Sequence, residues 1–370
     1  MKQILNWLND SIYLKPLSPA CKMCAEGSKL VLLATGLCSS DCYYCPLSFK
    51  KGGRDRIYAN EWELDNENDT KKLIKEAELI NAKGAGITGG DPLFVWKRVK
   101  KYIALLKDIF GSEFHIHLYT TGIKNSEHII DLISVGLDEV RFHPYPEFWG
   151  KLNNSPFKKP LKNVLDSSAD IAIEIPSIPN LENKIYSLIK WANENEMKWV
   201  NLNELEFSER NYKKFAEKGY IQKDELSAAV KGSEESAISI LKTAQEDKLD
   251  IGVHYCSVSF KDGIQLKNRI KRRAKNVAKE YEFITEEGTI IKGVINVSKI
   301  SNYKLIKLLT EEFLIPKKYL FFNKQKNRIE IGTWILEKIY PKLNKIGCKC
   351  YFIEEYPTAD RLEVERIPLA

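Results

Sequence analysis

Three cysteines, Cys38, Cys42 and Cys45, stand at C-x3-C-x2-C spacing directly after Leu30 to Ala34, an apolar run that reads as a buried strand. Cysteine thiolates hold iron-sulfur clusters, normally four to a cluster. Three from one short loop leave an iron with an open position, where a substrate or cofactor can coordinate. A second pattern competes for the same residues: Cys21-x2-Cys24, then seventeen residues, then Cys42-x2-Cys45, which is also the spacing of a zinc ribbon. Against a ribbon, the segment between the pairs contains SKLVLLATG, a core strand and not a knuckle, and Cys38 is left unemployed.

The cysteine spacing, Tyr44 just before the last cysteine, and the later turn Gly89-Gly90-Asp91-Pro92 resemble the radical S-adenosylmethionine (SAM) superfamily. That resemblance implies a [4Fe-4S] cluster on Cys38, Cys42 and Cys45. Its open iron chelates the amino and carboxylate groups of SAM, and an electron from the cluster cleaves SAM to a 5′-deoxyadenosyl radical. It also implies that the turn at Thr88, Gly89, Gly90 and Asp91 binds the SAM amino group and that Thr121 touches the ribose.

The elements that must position these residues alternate regularly. Apolar runs at 30–34, 85–88, 114–121, 139–143, 171–176 and 199–205 read as strands, with helical patterns at 69–82, 94–110, 126–135, 159–165, 180–195 and 224–244. Six such units mean a parallel sheet with helical crossovers, an α/β fold. By the resemblance it is a partial (βα)6 barrel, whose chemistry lies on the loops after the strands' carboxyl ends. Polar residues inside the apolar strands then point at the site: Glu174 and Asn203 bond SAM, substrate or each other, because unpaired polar groups there are costly. A seventh run, 249–255, ends at Cys256; Cys21 and Cys24 with Cys256 are candidates for a second metal centre, iron-sulfur or zinc, as in several radical SAM relatives. Cys348 and Cys350 share one strand face and read as plain strand residues.

Residues 1–28 read as a leader with its CxxC, 29–260 as the barrel, 261–281 as a basic linker helix and 282–370 as an α+β module in the βαββαβ order of ferredoxin-like folds. Residues 261–370 hold 23 Lys and Arg against 14 Asp and Glu, so the positive charge is concentrated there. The helical run carrying Arg269, Arg272, Arg273 and Lys275 reads as a phosphate-binding patch, and Tyr145, Phe148 and Trp149 as bases' stacking partners. These features favour a tRNA nucleoside as substrate and tRNA as partner, with ferredoxin or flavodoxin as electron donor. The rivals are modification of a peptide or protein, glycyl-radical enzyme activation included, and a zinc-bearing RNA-binding protein without catalysis. No run of 18 apolar residues occurs and the amino terminus lacks a signal-peptide core, which predicts a cytoplasmic protein without a membrane span. Oligomeric state is not legible.

Overall fold

Runs such as Leu30–Ala34 have no polar alternation, so a strand made from them needs cover on both faces. The computed structural model describes residues 3–297 and 301–370, and in it these runs form the middle of one sheet. The first two residues of the expected leader lie outside the described residues.

The strands are β1 (Ile4–Asn6), β2 (Ile12–Leu14), β3 (Lys29–Thr35), β4 (Tyr58–Ala59), β5 (Trp62–Glu63), β6 (Gly84–Gly89), β7 (His115–Thr120), β8 (Glu139–Phe142), β9 (Asp170–Ser177), β10 (Trp199–Glu204), β11 (Gly252–Cys256), β12 (Phe283–Ile284), β13 (Ile290–Val297), β14 (Leu320–Asn323), β15 (Arg328–Ile331), β16 (Cys348–Glu355) and β17 (Glu363–Leu369). The helices are α1 (Pro19–Ala25), α2 (Thr70–Leu79), α3 (Trp96–Phe110), α4 (Ile129–Ile133), α5 (Lys158–Leu165), α6 (Glu182–Glu194), α7 (Tyr212–Glu217), α8 (Ser233–Glu246), α9 (Val258–Phe260), α10 (Lys267–Val277), α11 (Asn302–Lys307) and α12 (Thr333–Lys345). The chain divides into two units, Met1–Leu266 and Lys267–Ala370.

In the first unit the sheet order is β1-β2-β11-β10-β9-β8-β7-β6-β3-β4-β5. The seven strands from β3 to β11 run parallel, one more than the six expected, and β1, β2, β4 and β5 add antiparallel edges. The ladder stays open, ending at β1 and β5. Part of the expected leader therefore belongs to the sheet, since β1 pairs with β2 and β2 with β11. The helix expected over 224–244 begins only at Ser233, because Gly232 at φ 90° breaks the chain direction.

Side chains alternate across each strand. One face sends Ile116, Leu118, Val140, Phe142, Ile173, Ile175, Val200 and Leu202 into the main apolar core. The other face is polar, carrying Lys29, His117, Glu139, Arg141, Glu174, Asn201, Asn203 and His254, and α1 lies against it: Cys21 Sγ is 3.8 Å from Arg141 Nη2 and 4.0 Å from Asn201 Oδ1. This face supports the site.

The second unit is an antiparallel sheet in the order β14-β15-β13-β16-β17, with β12 on β13. One side packs Ile295, Ile329, Ile331, Cys348 and Cys350 against Leu305, Leu336 and Leu343 from the helices, which makes the two cysteines core residues. Buried on β13 itself, Lys292 places its Nζ 3.0 Å from Glu282, 2.8 Å from Glu330 and 2.7 Å from Glu355. Among the described residues no helix is long and apolar enough to cross a membrane.

Candidate active site

A cavity of about 480 Å³ opens at the carboxyl ends of the parallel strands, within the range of ligand pockets. Cys38, Cys42 and Cys45 line it, together with Tyr44, Thr88, Gly89, Gly90, Thr121, Glu174 and Asn203. Of the predicted cluster and SAM residues, Asp91 alone does not reach the wall.

Backbone hydrogen bonds fix the root of the cysteine loop, and side chains reinforce it. Gly36 N donates to Arg54 O at 2.9 Å and Gly53 N to Gly36 O at 2.8 Å, closing the root of the loop. On its other side Gly90 N reaches Thr35 O at 2.8 Å and Asp91 N reaches Leu37 O at 2.7 Å. The Gly-Gly turn is glycine for this contact: a Cβ at Gly89 would stand 2.0 Å from Thr35 O, and one at Gly90 2.1 Å from Leu37 O. The glycines thus admit the close approach of the neighbouring loop. Arg98 buttresses the root, donating to both oxygens of Asp55 at 2.7 and 2.9 Å and to Ala34 O at 3.0 Å, while Asp55 accepts from Thr35 Oγ1 at 2.8 Å.

Asp91 is fully buried, and its carboxylate accepts from Thr120 Oγ1 (2.8 Å), Thr121 Oγ1 (2.7 Å), Thr121 N (3.1 Å) and Leu93 N (3.1 Å). Four donors occupy its two oxygens, so the predicted contact with SAM is corrected: Asp91 ties the turn after β6 to the end of β7. Burial raises its pKa, and those hydrogen bonds act the other way.

The floor is a hydrogen-bonded series from the polar sheet face. Arg141, 3% exposed, donates from Nε to Glu139 at 2.6 Å and from Nη1 to Glu174 Oε2 at 2.6 Å. Glu174 Oε1 accepts from Asn203 Nδ2 at 2.9 Å, so the two expected floor residues do bond each other. His143 Nδ1 faces the Glu174 carbonyl at 2.7 Å and must carry the proton there, which leaves Nε2 to accept from Tyr44 O–H at 2.9 Å. Burial depresses the His143 pKa, in keeping with a neutral ring. Deeper, burial lowers Lys29 to about 8 and, joined by the Lys29 charge, His115 to about 4.

Glu206, which follows the sixth strand, also lines the cavity, as do Lys261 and Arg210, which escaped the sequence reading. Lys261 Nζ pairs with Glu206 at 3.0 Å and is set there by a π-helical turn, Lys261–Leu266, which begins where a linker was expected. Arg141 had one legible signal, its place two residues from Glu139 and two from His143 on an alternating strand.

The three loop cysteines suit a cluster. They front one cavity and are exposed or half-buried, whereas Cys21, Cys256, Cys348 and Cys350 are buried. Among the described residues no three His, Cys, Asp or Glu side chains stand close enough to grip a single ion. The zinc-ribbon reading fails on this geometry, since Cys21 belongs to the polar sheet face. A cubane spreads its thiolates over separate irons, so an open loop fits it. Cys21, Cys24 and Cys256 are near enough that each of Cys21 and Cys256 feels its neighbours' charge, and burial pushes Cys21 to about 12.

The expected RNA surface is not there. Arg273 is buried with its guanidinium on Pro357 O, Arg269 and Arg272 are engaged within the chain, and of the four only Lys275 is exposed. The helix buries Ile270, Arg273 and Ala274 on one face, an i, i+3, i+4 pattern that its basic composition hid. Trp149 is buried with Nε1 on Pro144 O at 2.8 Å, and Tyr145 and Phe148 pack on Phe157.

A family model described as the radical SAM superfamily matches residues 32–144, and a domain of unknown function (DUF8061) matches residues 288–369. Over 369 residues the chain is 42% identical to a Methanocaldococcus jannaschii protein named provisionally as a glycyl-radical enzyme activating enzyme, with 95% of this chain and 93% of the relative covered. Among solved structures, SuiB of Streptococcus suis bound to SAM is 12% identical with a TM-score of 0.44, over 62% of this chain and 50% of that one. SuiB bound to its precursor peptide SuiA gives 11% and 0.45, over 72% and 56%. The chain thus spans about half the length of the solved chains it matches. The expected tRNA partner is corrected by the packed basic helix, whose arginines are engaged within the chain. Identity of 42% along nearly the whole of both chains places this protein in the radical SAM superfamily, as a SAM-cleaving [4Fe-4S] enzyme allied to glycyl-radical enzyme activating enzymes and carrying a separate C-terminal domain.

Proposed function

We propose that the enzyme abstracts hydrogen from a peptide or protein, glycyl-radical enzyme activation being the leading case. The observation that carries this reading is the kinship with the M. jannaschii protein, which bears that activity in its name. In the proposal Cys38, Cys42 and Cys45 hold the cluster, and the Thr88–Gly90 turn, Thr121, Glu174 and Asn203 hold SAM. When bound, cluster and SAM together supply a primary carbon radical that takes a hydrogen atom from the substrate. The chain's own part is positional. The backbone bonds among Thr35, Leu37, Gly90 and Asp91 fix the cluster loop against the turn, the Arg141 and Asn203 bonds hold the Glu174 carboxylate toward the cavity, and the neutral His143 anchors Tyr44 beside the loop. Such rigid placement is what near-attack geometry requires.

The proposal extends to a second cluster on Cys21, Cys24 and Cys256, supported by the Cys21-x2-Cys24 spacing on α1 and the place of Cys256 at the carboxyl end of β11. Anaerobic reconstitution checks both parts. The wild type should take up roughly eight irons, two cubanes, and the Cys21→Ala/Cys24→Ala pair about four; equal iron in the two removes the second cluster. Cys38→Ala should abolish dithionite-dependent formation of 5′-deoxyadenosine. For the substrate, fractions of deuterium-grown cells of the source organism would be supplied to the loaded enzyme. Deuterium appearing in 5′-deoxyadenosine from the protein fraction supports the reading, and deuterium from any other fraction alone defeats it.

A further inference from the structure

Two of the charged groups on the cavity wall are matched by opposite charge, Glu174 by Arg141, with Asn203 beside it, and Lys261 by Glu206 at 3.0 Å. Glu204 accepts from Val258 N at 2.7 Å through one oxygen, and its Oε1 is buried without a partner among the described residues. Arg210 lines the same cavity and is half-buried, yet among the described residues no hydrogen bond or ion pair engages its guanidinium. Asp41, which senses its charge, is already taken by Lys214 at 2.8 Å, and Glu209 next to it accepts from Phe49 N at 2.7 Å.

Space has been kept for this side chain. A Cβ at Gly52 would stand 1.8 Å from Arg210 Nη1, so the glycine in the turn after the cysteine loop leaves the guanidinium its present place. A cation partly withdrawn from water and lacking a counter-charge is costly until an anion arrives. The guanidinium fork matches one kind of anion especially well, the carboxylate, through two parallel N–H···O bonds.

We propose that Arg210 is the residue with which the cavity selects a substrate bearing a carboxylate near the reacting carbon. This rests on the peptide reading above and narrows it: the favoured peptide carries Asp or Glu beside the target residue. Placement favours substrate over SAM. Arg210 follows β10, whereas the Gly-Gly turn follows β6, four strand steps away across the sheet.

The test uses two probe peptides, acetyl-Gly-Glu-Gly-amide and acetyl-Gly-Gln-Gly-amide, with glutarate as a minimal anion. Each is titrated calorimetrically into the anaerobically reconstituted, SAM-loaded full chain. The Glu peptide should bind ~10- to 100-fold more tightly than the Gln peptide, the range expected of a charged hydrogen-bonded pair. That preference should vanish in Arg210→Gln and shrink in Arg210→Lys, which keeps the charge and loses the fork. Gly52→Ala, which replaces no cavity side chain, should also reduce it by pushing the Arg210 guanidinium aside; circular dichroism verifies folding of each variant. Equal affinity for the two peptides overturns the proposal. So does loss of SAM affinity in Arg210→Gln, which would assign the guanidinium to the cosubstrate carboxylate. Arg210-dependent binding of glutarate with neither peptide bound would keep the carboxylate site and instead defeat the peptide reading.

Discussion

Arg141 Nη1 stands 2.6 Å from Glu174 Oε2, and its Nε stands 2.6 Å from Glu139, so one buried guanidinium neutralises two carboxylates from adjacent strands. The pairing explains how an acidic group can form part of a cavity floor that is otherwise shielded from water. Removing the cation would leave both acids uncompensated, an arrangement that costs about 3–5 kcal/mol when a buried pair is broken. Arg141→Gln should lower the denaturation midpoint accordingly. The double variant Arg141→Gln/Glu139→Gln should recover part of the loss, because one stranded charge is gone. A double variant no more stable than the single one would show that the two residues are not coupled.

Gly90 offers a test that depends on backbone alone. Its added Cβ would meet Leu37 O at 2.1 Å, a main-chain atom that cannot swing away as a side chain could. Gly90→Ala should therefore displace the cysteine loop and reduce the iron retained after reconstitution. Gly150→Ala, where nothing lies within 4 Å, provides the control and should retain wild-type iron. Full iron in Gly90→Ala would mean that the loop tolerates the shift.

Acid should unfold both units, from different groups. In the second unit burial alone would raise Glu330, but the charge and hydrogen bond of Lys292, with help from Asn323 and Arg328, bring it down to about 2. A carboxyl depressed in the folded state stabilises above its unfolded value and loses that contribution as pH falls toward 2. In the first unit burial, with Arg141 nearby, lowers His254 to about 3, so the unfolded chain binds the extra proton as pH drops below 6.5. Far-ultraviolet circular dichroism against pH should show loss beginning below about 6 and deepening below about 4.5. Lys292→Met should bring the deeper loss to higher pH by stranding Glu282, Glu330 and Glu355; an unshifted profile would assign acid lability elsewhere.

What could be read from the sequence was what is local. The cysteine loop and the Gly-Gly turn announce themselves within a few residues, and the parallel sheet follows from the alternation of apolar runs. The Glu174–Asn203 bond was foreseeable because a polar residue inside such a run needs a partner. Arg141, Lys261 and Arg210 were not, because their roles arise from sheet register, a π-turn and an unmatched charge. Asp91 was read as facing a ligand; Thr120 and Thr121, thirty residues on, claim it in space. The basic run around Arg273 misled for a related reason. Composition counts charges, and only packing reveals that this arginine's guanidinium is spent on a carbonyl.

The main-chain bonds joining Thr35 and Leu37 to Gly90 and Asp91 also bear on how such an enzyme can diversify. Because those bonds run between main-chain atoms, the wall of the cavity beyond the joint can accept new residues without retuning the distance between the cysteine loop and the turn. Arg210 and Lys261 sit on that wall, beyond the joint. New substrates can then be acquired by point substitution on a frame whose reactive geometry is inherited unchanged.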